Sequence, residues 1–401
     1  MPTRSSAVPS VVAMDAPLRV LVVTESFVPQ INGVTGSVCR VLEHLAARGH
    51  EARVWAPTGP PTYAGFPVHR VRGARLPFYR DFRLGCERGP TLARRLEGWR
   101  PDVVHLASPA VLGLRAARVA RAAGIPTVGI YQTDLVGFAR RYRVPGGEPA
   151  MEHLTRRVHE SVDRTLVPSR ASLDQLTALG IPDLHLWPRG VDTVLFAPER
   201  RSAEVRARWA DPDEHLVGFV GRLAAEKELP LLRELSERPG VRLLVVGDGP
   251  ERARLTRALP AARFAGVLRG EELAATVASL DVMVHPGRHE TFCQSAQEGL
   301  ASGVPVVAVD AGGPRDLVVH GVSGLLVPPG DGPALAAAVT DLLARPVVRQ
   351  AMAVRARRSV RQRSWAAVND RLIAHYTDLV TGGARPDADR RSPRDDARQA
   401  G

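Results

Sequence analysis

The chain has 401 residues, of which 44% are hydrophobic and 24% charged. This mixture excludes extended disorder and collagen-like repeats, and the length suggests two or three domains with a sizeable core. The three cysteines lie far apart and form no CxxC pair, which argues against a disulfide framework or a structural zinc site and fits a reducing cytoplasm. No apolar run approaches the roughly 20 residues needed to span a bilayer.

The net charge of +12 is concentrated in the first half of the chain. Residues 17–192 hold 24 arginines against 15 acidic residues, and residues 70–100 hold nine arginines against three. The arginines of residues 70–100 are mixed with leucine and aromatic side chains. Such a segment suits nucleic acid, anionic lipid headgroups or a solvated surface. Because no zinc finger, RRM or KH motif accompanies it, nucleic acid is the weaker option.

The first half alternates predicted strands and helices. A β-branched run at residues 18–23 leads into a loop with Gly33 and an amphipathic helix at 35–48 that Gly49 closes. Further strands are predicted at 52–56, 103–106, 127–131 and 164–168, with a helix at 110–123. This alternation indicates a parallel sheet covered by helices on both faces.

The periodicity stops at residues 187–198, and a second alternating series follows. Its strands are predicted at 216–220, 241–246, 262–264, 282–285, 304–309 and 324–327, and a last helix at 365–380. The pattern predicts two doubly wound α/β domains, whose ligands bind in the cleft beyond the carboxyl ends of the strands. The predicted divisions are a disordered leader (1–16), an N-terminal domain (17–192), a C-terminal domain (193–360), a helix that packs back on the N-terminal domain (361–380) and a disordered tail (381–401).

The sharpest motif directly follows the strand predicted at 216–220. It reads Gly221-Arg-Leu-Ala-Ala-Glu-Lys227, and Lys227 is the sole lysine of a chain with 53 arginines. The position therefore favours a compact ammonium with three donors. Arg222 and Lys227 suit the phosphate oxygens of a leaving group. A surface pair between Glu226 and Lys227 is the alternative.

A second motif follows the strand predicted at 282–285. Thr291 is expected to cap a helix from about residue 292 to 301, which puts Glu290 beside the helix N-terminus and Glu298 about two turns in. The free backbone N–H groups at the start of the helix would form a site for an anion or a hydroxyl group. These N–H groups belong to Thr291, Phe292 and Cys293. Carboxylates there can bind sugar or ribose hydroxyls. The alternatives are a helix-dipole partner for Glu290 and an exposed helix residue for Glu298.

These motifs, together with Asn32-Gly33-Val34 after the first strand, resemble glycosyltransferase family 4. The resemblance extends from residue 18 to about residue 380 and implies the GT-B fold, in which two Rossmann-like domains face each other across a cleft. Four segments resemble more narrowly the actinobacterial GDP-mannose-dependent α-mannosyltransferases that act on glycolipids, namely residues 24–33, 131–134, 189–192 and 311–316.

The resemblance implies a role for each residue of the two motifs. Arg222 and Lys227 would bind the donor diphosphate and stabilise its developing charge. Glu290 would hold sugar hydroxyls, the amides of residues 291–293 would lie close to the sugar and phosphate, and Glu298 would bind the nucleotide ribose. The family retains the anomeric configuration, and no metal or other cofactor is expected.

The resemblance also points to residues of the first half. Gly33 would let the backbone approach the diphosphate. Many relatives have a histidine two residues before Asp134, where this chain has Gln132, which can hydrogen-bond a sugar but cannot act as a general base. Asp134 either has a catalytic role in positioning a sugar or closes a turn. His105 and Arg189 are further candidates for the cleft.

The sequence thus predicts a retaining hexosyltransferase, with mannose from GDP-mannose as the first choice of donor. The expected acceptor is lipid-linked or a glycolipid. The protein is expected in the cytoplasm, in peripheral contact with the inner, anionic membrane face through residues 70–100 and without bound nucleic acid. The alternatives are a UDP-sugar donor, a sugar-nucleotide epimerase of the same fold, and a nucleotide-sugar-binding protein without turnover.

Overall fold

The computed structural model describes residues 16–30, 32–76, 79–107, 109–141 and 146–382. The predicted leader and tail lie outside these residues, apart from residues 16, 381 and 382.

Over the described residues, the first half forms ten strands and six helices. The strands are β1 (Arg19–Thr24), β2 (Glu51–Ala56), β3 (Thr62–Tyr63), β4 (Phe66–Arg70), β5 (Gly73–Leu76), β6 (Tyr79–Gly85), β7 (Val103–Ala107), β8 (Thr127–Ile130), β9 (Arg164–Val167) and β10 (Leu184–Leu186). The helices are α1 (Gly33–Ala47), α2 (Gly89–Glu97), α3 (Val111–Ala122), α4 (Leu135–Arg141), α5 (Gly147–His159) and α6 (Arg170–Ala178).

The second half, as far as residue 382, contributes six strands and nine α-helices. The strands are β11 (His215–Val220), β12 (Val241–Val246), β13 (Arg263–Gly266), β14 (Val282–His285), β15 (Val306–Val309) and β16 (Gly324–Val327). The helices are α7 (Ala203–Ala207), α8 (Arg233–Ser236), α9 (Arg252–Ala258), α10 (Gly270–Ala278), α11 (Gln294–Ala301), α12 (Gly312–Leu317), α13 (Gly332–Leu343), α14 (Pro346–Val360) and α15 (Trp365–Thr381).

The N-terminal sheet has the order β10-β9-β8-β7-β1-β2-β4-β3, in which all pairs are parallel except β3 with β4. Strand β1 is buried on both faces after its first residue. Helices α1 and α15 pack on one face of the sheet, and α2 and α3 pack on the other. The central strands carry apolar side chains on both faces of the sheet. Helices must therefore cover both faces to keep these side chains out of water.

The C-terminal sheet is parallel throughout, in the order β13-β12-β11-β14-β15-β16. The strands predicted at 241–246, 282–285 and 324–327 are confirmed with these bounds. The two sheets confirm the predicted pair of doubly wound domains. Strands β3 to β6 were not predicted, because this segment lacks an apolar alternation and its pairing is short.

The last helix, α15, packs against the N-terminal domain. The indole Nε1 of Trp187 donates to the carbonyl oxygen of Val368 at 3.0 Å, and His44 Nε2 lies 2.8 Å from the Asp370 carboxylate. His105, predicted at the cleft, is instead buried beneath this helix, with Nδ1 2.6 Å from the Tyr376 hydroxyl. Burial lowers the pKa of His105 to about 3, so its ring is neutral.

No helix in the described part of the chain combines the length and the apolar character needed to cross a bilayer.

Candidate active site

The centre of the cleft is a cluster of charged side chains beyond the ends of β11 and β14. The Lys227 ammonium contacts Oε1 of Glu290, and His285 Nε2 lies 3.3 Å from the same oxygen. His285 is the last residue of β14, and Lys227 ends a single 3-10 turn that begins at Ala225. Gly287 permits this approach, because a Cβ there would lie 3.1 Å from Lys227 Cα.

The charges of this cluster stabilise one another. Burial opposes ionisation of Glu290, but the charges of Lys227 and His285 outweigh it and hold the pKa of the carboxyl well below its usual range. Burial also favours a neutral His285, but Cys293 and Glu290 raise the pKa of this ring to about 10. Desolvation favours a neutral Lys227, but the charge of Glu290 and the hydrogen bond to it raise the pKa of the ammonium above its usual value. Glu290 is therefore a carboxylate at neutral pH and can accept hydrogen bonds but not donate a proton.

The same loop holds a set of side chains that a metal could bind. Ligand atoms of His285, Glu290 and Cys293 lie within 4.8 Å of one another. Nitrogen, oxygen and sulfur donors suit zinc. The Lys227 ammonium, however, already provides a cation at the Glu290 carboxylate.

The helix after Glu290 starts later than predicted. Thr291 is not its cap: α11 begins at Gln294, and its N-cap is Cys293 in the left-handed conformation with φ 77°. The Thr291 hydroxyl instead donates to the backbone oxygen of Gln132 at 3.2 Å, which links the two domains. The three amides predicted as a helix terminus therefore belong to the loop before α11.

Glu298 lies on the predicted helix, but about one turn in and not two, because α11 begins at Gln294, and it is half-buried and not exposed. Burial raises the pKa of its carboxyl to about 7, and a hydrogen bond with Gln294 opposes this only in part. On the same helix, the side-chain amides of Gln294 and Gln297 donate to the backbone oxygens of Gly190 and Arg189, at 3.0 and 3.1 Å. Helix α11 thus fixes the segment that joins the domains.

Arg222 lies on the loop after β11, with its side chain exposed. This loop packs against the loop after β12. A Cβ on Gly247 would lie 1.9 Å from the Gly221 oxygen, and one on Gly249 would lie 2.3 Å from the Leu223 oxygen. The glycines of Gly247-Asp-Gly249, which match only the start of a dinucleotide-binding motif, therefore serve this close approach of two backbones.

The structure brings Gly33, Gln132 and Arg189 together at the edge of the N-terminal domain. The Arg189 Nη2 donates to Gln132 Oε1 at 2.8 Å, and a Cβ on Gly33 would lie 2.3 Å from Nη1. Burial lowers the pKa of Arg189 to about 10, while the charge of Glu290 opposes this. Arg189 is therefore a buried guanidinium between the first residue of α1 and the loop of Glu290.

The Asp134 carboxylate has a structural role. Its Oδ1 accepts hydrogen bonds from the Gly137 amide at 2.9 Å, the Gln175 side chain at 3.0 Å and the Tyr131 hydroxyl at 3.2 Å. These bonds cap the first turn of α4. Of the two interpretations offered by the sequence, the turn is therefore the one that the geometry favours.

Two further features of the site were not predicted from the sequence. His285 lies against the Glu290 carboxylate, and Gly313 lies beneath the loop of Glu290, with its amide donating to the backbone carbonyl oxygen of Glu290 at 2.7 Å. A Cβ on Gly313 would lie 2.2 Å from the Phe292 oxygen. The available signals were a histidine at the end of a strand and a Gly-Gly pair two residues after the next strand.

The arginines of residues 70–100 have different surroundings. Arg70 donates to the Gly59 oxygen at 2.9 and 2.6 Å. Others are exposed, namely Arg72, Arg88, Arg94 and Arg100. The side chains of residues 75–82 lie outside the described part of the chain. The exposed arginines are consistent with both the lipid interpretation and a solvated surface.

Comparison with known proteins gives matches over both domains. A family model described as Glycosyltransferase Family 4 matches residues 31–195, and one described as Glycosyl transferases group 1 matches residues 214–345. The chain is 49% identical over 369 residues to a GDP-mannose-dependent alpha-mannosyltransferase of Mycobacterium tuberculosis, covering 90% of this chain and 96% of that protein.

A more distant relative from the same organism and one solved structure extend the comparison. The chain is 31% identical to the GDP-mannose-dependent alpha-(1-6)-phosphatidylinositol dimannoside mannosyltransferase, with 72% of this chain and 79% of that protein covered. The sucrose-phosphate synthase of Thermosynechococcus elongatus superposes with a TM-score of 0.74 at 21% identity, over 91% of this chain and all of that chain.

Proposed function

The chain belongs to glycosyltransferase family 4 and is a hexosyltransferase of the GT-B fold, and we propose that it transfers mannose from GDP-mannose, with retention, to a lipid-linked acceptor at the inner membrane face. The observation that carries the choice of donor is the 49% identity along nearly the whole chain to a GDP-mannose-dependent relative. The choice of a lipid acceptor rests on the relative whose name specifies a phosphatidylinositol glycolipid.

In this proposal the cations of the cleft bind the donor diphosphate. Arg222 and Lys227 contact its oxygens, and Gly33 lets the backbone approach it from the N-terminal domain. As the bond between the sugar C1 and the phosphate oxygen breaks, negative charge grows on the departing diphosphate. Positive groups fixed where this charge develops lower the barrier.

Glu290 binds the sugar. Because it is ionised and only partly exposed, its carboxylate accepts hydrogen bonds from sugar hydroxyls, with the amides of residues 291–293 beside it. The acceptor hydroxyl forms the new bond to C1 on the face that the diphosphate leaves, and its proton passes to the departing phosphate oxygen. Retention follows because both events occur on one face. We expect the transfer to need no metal, since Arg222 and Lys227 supply the positive charge.

The donor is tested by thermal stabilisation with a panel of nucleotides and nucleotide sugars. A ligand at 100 times its Kd stabilises the fold by about 2.7 kcal/mol. Selective stabilisation by GDP and GDP-mannose is the expected result, followed by mannose transfer to lipid extracts. Stabilisation by UDP species alone would overturn the choice of donor, and stabilisation without transfer to any lipid would overturn the choice of acceptor.

Glu298 should make donor binding depend on pH. Ribose hydroxyls bind the ionised carboxylate, so donor binding requires loss of the proton that the free protein holds with a pKa of about 7. Affinity is therefore full above pH 7 and falls below it, and GDP should bind about tenfold more weakly at pH 6 than at pH 8. Calorimetric titration checks this. In Glu298→Gln the same comparison should be flat, whereas an unchanged pH profile would exclude Glu298 as the group.

The exposed arginines of residues 70–100 should bind anionic membranes. Replacing Arg72, Arg88 and Arg94 together by glutamine should weaken binding to phosphatidylglycerol vesicles by about 100-fold, at about 1 kcal/mol for each charge. Sedimentation with vesicles at low and high salt measures it, because screening weakens such binding. Equal partition of the native and substituted proteins would contradict the membrane role and favour a solvated surface.

A further inference from the structure

A cavity of about 210 Å³ lies on the face of the N-terminal sheet that α2 covers. This volume is well above the roughly 10–15 Å³ that a cavity needs to hold one water molecule. Arg53, His69 and Arg95 supply its polar groups, and Trp55 and Trp99 its aromatic walls. In the described part of the chain, none of the nine residues that line it is acidic.

The strand register places these side chains on one side of the sheet. Arg53 and Trp55 are two residues apart on β2 and therefore point to the same face. Trp55 pairs with His69 of β4 in parallel register, which brings His69 to that face as well. The segment at residues 98–101, which leads into β7, lines the cavity at the amino ends of the strands. The cavity is thus separate from the cleft, which lies beyond the carboxyl ends.

The cavity holds positive charge that no carboxylate neutralises directly. Arg95 Nη1 is buried and has no hydrogen-bond partner, and among the described residues neither Arg95 nor Arg53 forms an ion pair. The Arg53 guanidinium lies 4.7 Å from the centre of the Trp99 ring. Burial and the charges of the two arginines lower the pKa of His69. Glu87 acts on Arg95 through its charge, but its own oxygens accept backbone N–H groups.

We propose that this cavity binds a phosphate ester, with its anion held by Arg53 and Arg95 and its organic part packed against Trp55 and Trp99. A buried donor without an acceptor is costly, and a phosphate oxygen would satisfy it. Guanidinium groups match phosphate oxygens in geometry and charge, and aromatic rings provide apolar contact. The phosphate belongs either to a soluble ester or to the headgroup of an anionic lipid.

The test uses the full chain and two probes. Binding of glycerol 3-phosphate is measured by calorimetry with glycerol as the blank, and binding of phosphatidylglycerol vesicles is measured against phosphatidylcholine vesicles. The variants are Arg95→Gln, the double variant with Arg53→Gln, and Arg118→Gln as the matched control. Arg118 is exposed on α3 and does not line the cavity, but its replacement removes the same charge. Thermal unfolding verifies that each variant folds, and Arg95→Gln alone keeps Arg53 on Trp99.

The cavity is supported if Arg95→Gln weakens binding of a probe at least tenfold while Arg118→Gln changes it less than twofold. Loss of glycerol 3-phosphate binding assigns a soluble ester, and loss of vesicle binding with no response to glycerol 3-phosphate assigns a lipid headgroup. Equal effects of the two single variants on both probes, or no binding of either probe by the native protein, would overturn the proposal. GDP binding in the cleft is measured in parallel and should be unchanged in all variants.

Discussion

Lys227→Ala is expected to lower kcat at least about 100-fold while the fold stays intact, which corresponds to about 2.7 kcal/mol of lost transition-state stabilisation. The partly exposed ammonium lies against the Glu290 carboxylate at the centre of the cleft. In the proposed reaction it also faces the departing diphosphate. The substitution therefore removes the cation that stabilises two anions, the Glu290 carboxylate and the departing diphosphate. Turnover with saturating donor measures the loss, and circular dichroism verifies the fold.

Two comparisons separate this catalytic role from a structural one. Lys227→Met keeps the approximate shape and should lose as much activity as Lys227→Ala, because the loss comes from the charge. Arg345→Ala removes a cation that pairs with Asp341 at the surface and should leave turnover unchanged. If Lys227→Met turns over within tenfold of the native rate, the ammonium does not stabilise the leaving group.

Gly313→Ala should lower kcat/KM for the donor at least about 100-fold. Its new methyl group would lie 2.2 Å from the backbone oxygen of Phe292, which cannot move without displacing the loop that carries Glu290. A misplacement of about 1 Å in a site of this kind costs roughly 100-fold in rate. Steady-state kinetics and GDP titration measure the effect, which should appear in donor affinity as well as in turnover.

Gly36→Ala is the matched control for this substitution. Gly36 lies in α1, and a Cβ there meets no atom within 4 Å. Alanine is favoured over glycine inside a helix by up to about 1 kcal/mol, so this variant should be as stable as the native protein or more so. Native kinetics in Gly313→Ala would show that the loop tolerates the methyl group and that its backbone does not position the donor.

Local patterns were sufficient to predict the fold. Apolar β-branched runs followed by helical periodicity predicted β1, β12, β14 and β16 to within one residue, because a strand buried on both faces must be apolar throughout. Strands β3 to β6 were missed, because their sequences lack a sustained apolar alternation and β4 to β6 carry arginine. Whether a strand forms there depends on a neighbouring strand that the local sequence does not reveal.

Residue type and spacing determined most of the candidate site. The sole lysine, the two glutamates seven residues apart and the glycine loop all follow strands, and parallel strands bring their carboxyl ends to one edge. These signals are local, since each depends only on the residues around it. The sequence by itself therefore determined the two domains, the position of the cleft and the side chains that we propose bind the phosphorylated sugar.

The tertiary structure decided which of these side chains are partners. It placed His285 on Glu290, Asp134 in a helix cap and His105 beneath α15, and it joined Arg189 to Gln132 at the edge of the N-terminal domain. Each outcome depends on contacts between residues far apart in the chain. Burial and the opposing charge at such contacts determine whether a titratable group is ionised, and no local pattern contains either of them.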